Sequence, residues 1–449
     1  MKTELHNYDI YPKVVLLGDA VTITIRPLGD HVAFTGEEEF ILISIAHGAV
    51  SAYPERGNYR KLAVSLGDDG CVRFTHVFPE EGEYLIRMLL PGRRNRRIDL
   101  SVYALAEDMR GRYPFRGDLH MHSCYSDGQQ SPAVVVANYR RYGYDFTVIS
   151  DHERYYPSLE AQDIYRDIPT EMTVVAGEEI HLPDNDVHIV NFGGQYSING
   201  LLDSSAQNRE SNRRAVIADP PPLLSEDEYR RQVNELARTL NIPEGIEAFT
   251  YASCVWIFDH IRQAGGLGIF AHPYWKSDGS YQVPESLTAY ILETRPFDAF
   301  EVLGGELYQQ QNGFQAIRYY EDRARGIHYP IIGATDSHNS IAEDNPGALV
   351  ASTFVFATAN ETDALIAAIR DEYSVAVDTI SREYRLVGDL RLVKYTRFLL
   401  DDFTPLHDEL CYEEGRLMKA CVTGDAAARG QLAQIHGRMK ALYAKYFQL

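Results

Sequence analysis

Apolar and polar positions alternate through much of the first hundred residues. Val21-Thr22-Ile23-Thr24-Ile25, Glu39 to Ile45, Cys71 to Phe78 and Glu83 to Met88 alternate or are rich in β-branched and aromatic residues, with Gly, Pro and Asp between them. That is the pattern of short strands in a half-buried sheet. With no helical stretch between them, they predict a β-sandwich over residues 1–106. Glu107 to Tyr113 reads as a linker. Beyond it the texture changes to short continuous apolar runs: Phe146 to Ser150, Thr173 to Ala176, Val187 to Phe192, Gly268 to Ala271 and Ile331 to Ala334. Phe115 to His122 is read as a further strand. The last part, 381–449, is expected to be helical. Leu432, Ile435, Met439, Leu442 and Tyr446 recur at spacings of three and four, as on one face of an amphipathic helix that docks on protein rather than on membrane.

Metal-competent side chains lie in or just after these runs. Asp118-Leu119-His120-Met121-His122 carries two imidazoles one residue apart, and side chains at that spacing on a strand face the same way. Asp127 follows in a Ser-Asp-Gly turn that swings it back toward them. Further along come Asp151-His152-Glu153, Gly177-Glu178-Glu179-Ile180-His181, His188, His272-Pro273 and Asp336-Ser337-His338. Imidazole and carboxylate suit zinc, manganese or iron, and the carboxyl ends of strands are where barrels of alternating strands and helices assemble sites. Glu178 and Glu179 are adjacent, so only one of them points at such a site from an extended strand. His181 and His188 are likewise alternatives from spacing alone.

DLHMHSCYSDG at 118–128, SDHE at 150–153, GEEI at 177–180, VHIVNFG at 187–193, FAHP at 270–273 and GATDSH at 333–338, taken together in this order, resemble the polymerase-and-histidinol-phosphatase (PHP) family of metal-dependent phosphoesterases. The resemblance spans about residues 114–380. It implies an α/β fold, a distorted seven-stranded barrel with surrounding helices, and two or three divalent ions (Mn, Fe or Zn) at its mouth. By that resemblance His120, His122, Glu179 and Asp336 hold the first ion. Glu179 bridges to a second held by His188 and His272, and Asp127, His152 and His338 hold a third. The implied reaction is phosphoester hydrolysis by a metal-bound hydroxide near Glu179, Asp127 and His152, since divalent ions lower the pKa of bound water toward neutrality. Asp118, Asp151 and Glu301 are candidates for orienting the ligand imidazoles from behind.

Between Gly194 and Tyr251 lies an insertion, about 195–250, with a helix-like stretch at Glu226 to Leu240; insertions of this length commonly form lids or binding elements. Arg154 and Lys276 are candidates for phosphate contact, and Tyr156 and Trp275 for stacking on a base or sugar.

Composition narrows this picture. A chain of 449 residues has room for two or three domains. No run reaches the roughly eighteen apolar residues of a membrane span, and the start lacks a signal-peptide core. Five scattered cysteines without a CxxC pair suit a reducing cytoplasm. Cys124 is read as a small packing residue. A net charge of −21 disfavours general nucleic-acid binding. The basic run Arg93-Arg94-Asn95-Arg96-Arg97 is read as a solvated face. The leading expectation is hydrolysis of a small phosphorylated substrate, a nucleotide or sugar phosphate, with no membrane partner and with homo-oligomer formation open. The alternatives are an exonuclease acting on short oligonucleotides and a non-catalytic scaffold that retains the barrel.

Overall fold

The computed structural model describes residues 3–48, 59–90, 97–210, 214–305, 309–379 and 385–449. Arg93 to Arg96 and the 380/381 boundary lie outside the described residues. The chain forms two compact units, one of Met1–Arg112, Leu390–Leu410 and Gly437–Leu449, the other of Tyr113–Asp389 and Cys411–His436.

The first unit holds two sheets. One is antiparallel, in the order Tyr8–Tyr11, Ala20–Pro27, Val72–Val77, Ser65–Leu66. The other runs Phe447–Gln448, Val14–Leu16, Arg97–Leu105, Gly82–Leu89, Glu39–Ser44, Tyr59–Lys61. Alternation does what the sequence suggests: along Gly82–Leu89, Tyr84, Ile86 and Met88 are buried while their neighbours are only half so. Ile10, Ile23, Ile25 and Phe74 from the first sheet share one core with Phe40, Ile86, Leu100 and Val102 from the second. The helix Leu390–Asp402 packs Tyr395 and Phe398 on Tyr103, with ring centroids 5.0 and 5.4 Å apart. Arg391 holds Glu81 and Asp108 at 2.6 Å. The expected linker is ordered as a short 3-10 turn, Glu107–Met109, with Met109 buried.

The second unit is a mixed α/β body of two larger sheets and a short hairpin. A six-stranded sheet runs Thr173–Val175, Phe146–Val148, Tyr113–Asp118, Ala351–Ala357, Ser374–Asp378, Leu386–Val387. A five-stranded sheet runs Gly177–Ile180, Ile189–Phe192, Leu267–Phe270, Ala299–Leu303, Ile331–Gly333. Two isolated bridges, Met121 to Ser337 and His152 to Glu179, link residues of the two sheets just where the metal-competent side chains lie. Val148, Val355, Val190, Ile269 and Ile332 from the two sheets pack in one core, onto which the helix Thr362–Arg370 packs Leu365, Ile366 and Ile369. Gly117 lets the strand Phe146–Val148 approach: a Cβ there would lie 2.2 Å from the Phe146 ring.

Three expectations are corrected. The strand expected through His122 stops at Asp118, although His122 N still donates to Ser337 O (2.9 Å) and Asp336 N to His120 O (2.8 Å). Those bonds keep the two imidazoles in register with the following strand end. The single amphipathic helix is two, Ala428–Ile435 and Arg438–Tyr446, because Gly437 takes a left-handed φ of 87° between them. Leu432 therefore lies in one unit, and Met439 and Tyr446 in the other. Finally, the insertion is not simply a lid. Tyr196, Ile198, Leu201 and Leu202 join the core, as do Tyr229 and Val233 of the helix Glu226–Thr239, which Ser225 caps by accepting from Glu228 N at 3.2 Å.

Candidate metal centre

His120 and His122 converge on two carboxylates. His120 Nε2 lies 3.3 Å from both Glu179 Oε2 and Asp336 Oδ1, and His122 Nε2 lies 3.4 and 2.9 Å from the same atoms. The four ligand atoms lie within 4.8 Å of one another. Asp336 reaches this position from a left-handed backbone, φ 52°, which Asp tolerates better than most residues. A second gathering, with the same 4.8 Å spread, joins Asp127, His152 and His338 to His122. Asp127 Oδ2 is 3.4 Å from His152 Nε2 and 3.3 Å from His338 Nε2. The His122 ring stacks on those of both His152 (4.3 Å) and His338 (4.4 Å), which lie 6.1 Å from each other.

Glu179 stands between these groups. Its Oε1 is 2.7 Å from His188 Nδ1, and its Oε2 is 2.8 Å from His152 Nδ1. His272 approaches through Asp336, Nε2 to Oδ2 at 3.5 Å, with its ring 5.0 Å from that of His188. The adjacent Glu178 turns the other way. It is fully buried and accepts from Ser197 Oγ (2.6 Å), Ile198 N (2.5 Å), Asn199 Nδ2 (2.9 Å) and Asn191 Nδ2 (3.4 Å). His181 and His188 are not exclusive: His181 Nε2 lies 2.8 Å from His152 Nδ1 and 3.5 Å from Glu179 Oε1.

The donor set is short of partners. His120 Nε2, both carboxylate oxygens of Glu179 and His272 Nε2 are buried without a hydrogen-bond partner. Buried polar atoms are costly unless satisfied, and close imidazoles facing carboxylates are satisfied by cations. The residues present fit divalent metal.

Electrostatics agree with this. Burial pushes the Asp127 carboxyl up, but His152 and His338 outweigh it and hold it well below the usual carboxylate range. Burial likewise raises Asp336, and His120, His122 and His272 overcome that. Burial lowers His272 to about 3, leaving a neutral lone pair. Burial also lowers His152, but Glu179 and Asp127 reverse the shift and raise it to about 11, so a bound cation competes there with a proton.

Of the three residues expected to orient imidazoles, only Glu301 does so directly, its Oε2 2.9 Å from His120 Nδ1. Asp118 instead accepts from Thr335 Oγ1 (2.6 Å), Thr335 N (3.1 Å) and His120 N (3.2 Å), tying two strand ends together. Asp151 is taken by Ser123 N (2.7 Å), Ser123 Oγ (2.5 Å) and Ser126 Oγ (2.6 Å); only Ser126, 3.5 Å from His122 Nδ1, relays it to a ring. Cys124 is exposed rather than packed.

Among the expected substrate contacts, the Trp275 ring lies 6.0 Å from the His188 ring and 6.2 Å from that of His272. Arg154 is half-buried, with Nη1 3.5 Å from His152 O. Tyr156 meets Tyr125 edge-on at 5.3 Å. Lys276 is exposed on a hairpin, with its ammonium over Tyr281 at 5.5 Å. The hydroxyls of Ser123, Ser126 and Thr335, inside the motifs at 118–128 and 333–338, carry roles that the motif pattern alone does not assign.

No protein-family model matches the chain, and no curated protein matches it. Solved structures do. One is a two-domain protein of Bacteroides vulgatus described as containing a predicted PHP-like metal-dependent phosphoesterase, at 17% identity and a TM-score of 0.40 over 59% of this chain. The match spans 65% of that protein, less than two thirds of its length. A second, described as a putative metal-dependent phosphoesterase of Bifidobacterium adolescentis, is 17% identical with a TM-score of 0.33 over 49% of this chain and 87% of its own. An amidohydrolase of Chromobacterium violaceum, solved with sulfate, is 21% identical with a TM-score of 0.31 over 51% of this chain and 89% of its own. Among the described residues, no helix is long and apolar enough to cross a membrane.

Proposed function

We propose that the unit of Tyr113–Asp389 and Cys411–His436 is a metal-dependent phosphoesterase of the PHP type acting on a small phosphorylated substrate. The observation that carries this reading is the buried donor set of His120, Glu179 and His272, whose facing atoms make no hydrogen bond. In this proposal His120, His122, Glu179 and Asp336 hold one divalent ion, Glu179, His188 and His272 a second, and Asp127, His152 and His338 a third. Divalent ions held so supply a nucleophile at neutral pH and offset the charge of the phosphoryl oxygens. Glu179 would be shared by the first two ions, Glu301 fixes the His120 ring, and Trp275 walls the site beside His188 and His272. The strands around this site form a distorted seven-stranded barrel in the same reading, and the two sheets of the first unit a β-sandwich. The five free cysteines suit a reducing compartment, and we place the protein in the cytoplasm.

The test is metal content per chain together with hydrolysis of phenyl phosphate and bis(p-nitrophenyl) phosphate. Two or three ions per chain are expected. Chelation should abolish turnover, and the double variant His120→Ala/His122→Ala should lose both metal and activity. A chain that binds no divalent metal, or an active double variant, overturns the reading.

A further inference from the structure

A cavity of about 330 Å³ opens beside the cluster and shares His181 with it as a wall. Its volume falls within the range of small-molecule sites. The loop after Gly177–Ile180 and the front of the insertion build it, so it belongs wholly to the metal-bearing unit.

The lining has a definite chemistry. Glu153, Asp186 and Glu226 contribute carboxylates, against the guanidinium of Arg209 in the wall and that of Arg230, which pairs with Glu226 Oε2 at 3.1 Å. Glu153 and Asp186 make no side-chain hydrogen bond or ion pair with any described residue. Ser204 and Ser205 add hydroxyls. The apolar lining is limited to Leu182, Pro183 and Leu202, and no described lining residue is aromatic. A nucleobase would lack the stacking surface that bases find in their sites. A second phosphate would meet an excess of negative charge. Hydroxyl groups, which donate to carboxylates and both donate to and accept from serines, suit the wall.

We infer that this cavity takes the alcohol half of the phosphoester, and that this half is an uncharged polyol or sugar rather than a nucleoside or a second phosphorylated group. The inference rests on the phosphoesterase reading and names its substrate class. Hydrolysis breaks the ester P–O bond. Water gives its OH to phosphorus and its proton to the leaving oxygen, releasing phosphate and the free polyol into the cavity.

Two measurements test it on the full chain. In the first, kcat/KM is compared across hexose, pentose and glycerol phosphates, adenosine monophosphate, adenosine 3′,5′-bisphosphate and phenyl phosphate. The best sugar or polyol phosphate should lead both nucleotides by about tenfold or more, and Asp186→Ala and Glu226→Ala should erode that lead mainly through KM. A nucleotide that leads, or a lead unchanged in both variants, overturns the inference while leaving the phosphoesterase reading intact. The second is saturation-transfer NMR with the same sugars and polyols lacking phosphate. Transfer that is lost in Asp186→Ala supports the cavity assignment even if no ester is hydrolysed, an outcome that sinks only the phosphoesterase reading. Absence of transfer to every sugar and polyol overturns the cavity assignment.

Discussion

Glu178 and Glu179 are neighbours in sequence with opposite fates, and the pair shows how single residues divide the work. Glu179 meets imidazoles with both oxygens, whereas Glu178 meets four neutral donors. Glu179→Gln should therefore empty the site of metal and cut activity by about a thousandfold or more, on the scale of losing an essential catalytic contribution. Glu178→Ala should instead cost about 3 kcal/mol of stability by stranding buried donors, with metal still bound by the folded fraction. Urea denaturation and metal analysis on both variants separate the two outcomes. Glu301→Gln, which weakens the hold on His120 Nδ1, should raise the metal dissociation constant by about 10- to 100-fold, measured by competition with a chelating dye. Imidazole pairs were legible in the sequence because few other roles need two histidines one residue apart at a strand end. The partners of Asp118 and Asp151 were not, because a carboxylate takes any donor the fold brings near. Here the fold brings Thr335 and Ser123, hydroxyl residues with no signature of their own.

At the scale of elements, the short apolar runs were readable and their pairing was not. The strand Ile189–Phe192 is antiparallel to both its neighbours, Gly177–Ile180 and Leu267–Phe270, whereas Leu267–Phe270, Ala299–Leu303 and Ile331–Gly333 beyond it pair in parallel. An apolar run looks the same in either direction. The helix break at Gly437 was hidden for a related reason: the spacing of Leu432, Ile435, Met439, Leu442 and Tyr446 continues across it, and only the backbone reveals the change of direction. Close approach is the other invisible quantity. Gly117 has the Phe146 ring where a side chain would stand. Gly117→Ala should overpack that contact and cost about 1–3 kcal/mol. A thermal melt should show the loss as a transition several degrees lower, with metal stoichiometry unchanged in the folded protein.

For the molecule as a whole, the C-terminal residues matter more than a terminal helical segment suggests. Arg140, fully buried in the metal-bearing unit, donates from Nε to Glu414 Oε2 at 2.6 Å and from Nη1 to Asp145 Oδ1 at 2.9 Å. Leu417, Met418 and Leu432 pack in one core with Met121, Ala133 and Tyr139. Glu414→Ala should cost about 3 kcal/mol by leaving the guanidinium half-paired in the interior, read as a lower urea midpoint. The same interleaving bears on the order in which the chain folds as it is made. The strand Val14–Leu16 precedes every strand of the metal-bearing unit in the chain, and it pairs in parallel with Phe447–Gln448 on one side and Arg97–Leu105 on the other. Its outer neighbour is translated only after every strand of the metal-bearing unit. Until then the nascent protein carries an open sheet edge, a surface prone to pairing with other chains. Synthesis speed and chaperone access should therefore influence the yield of this protein more than the stability of its finished fold does.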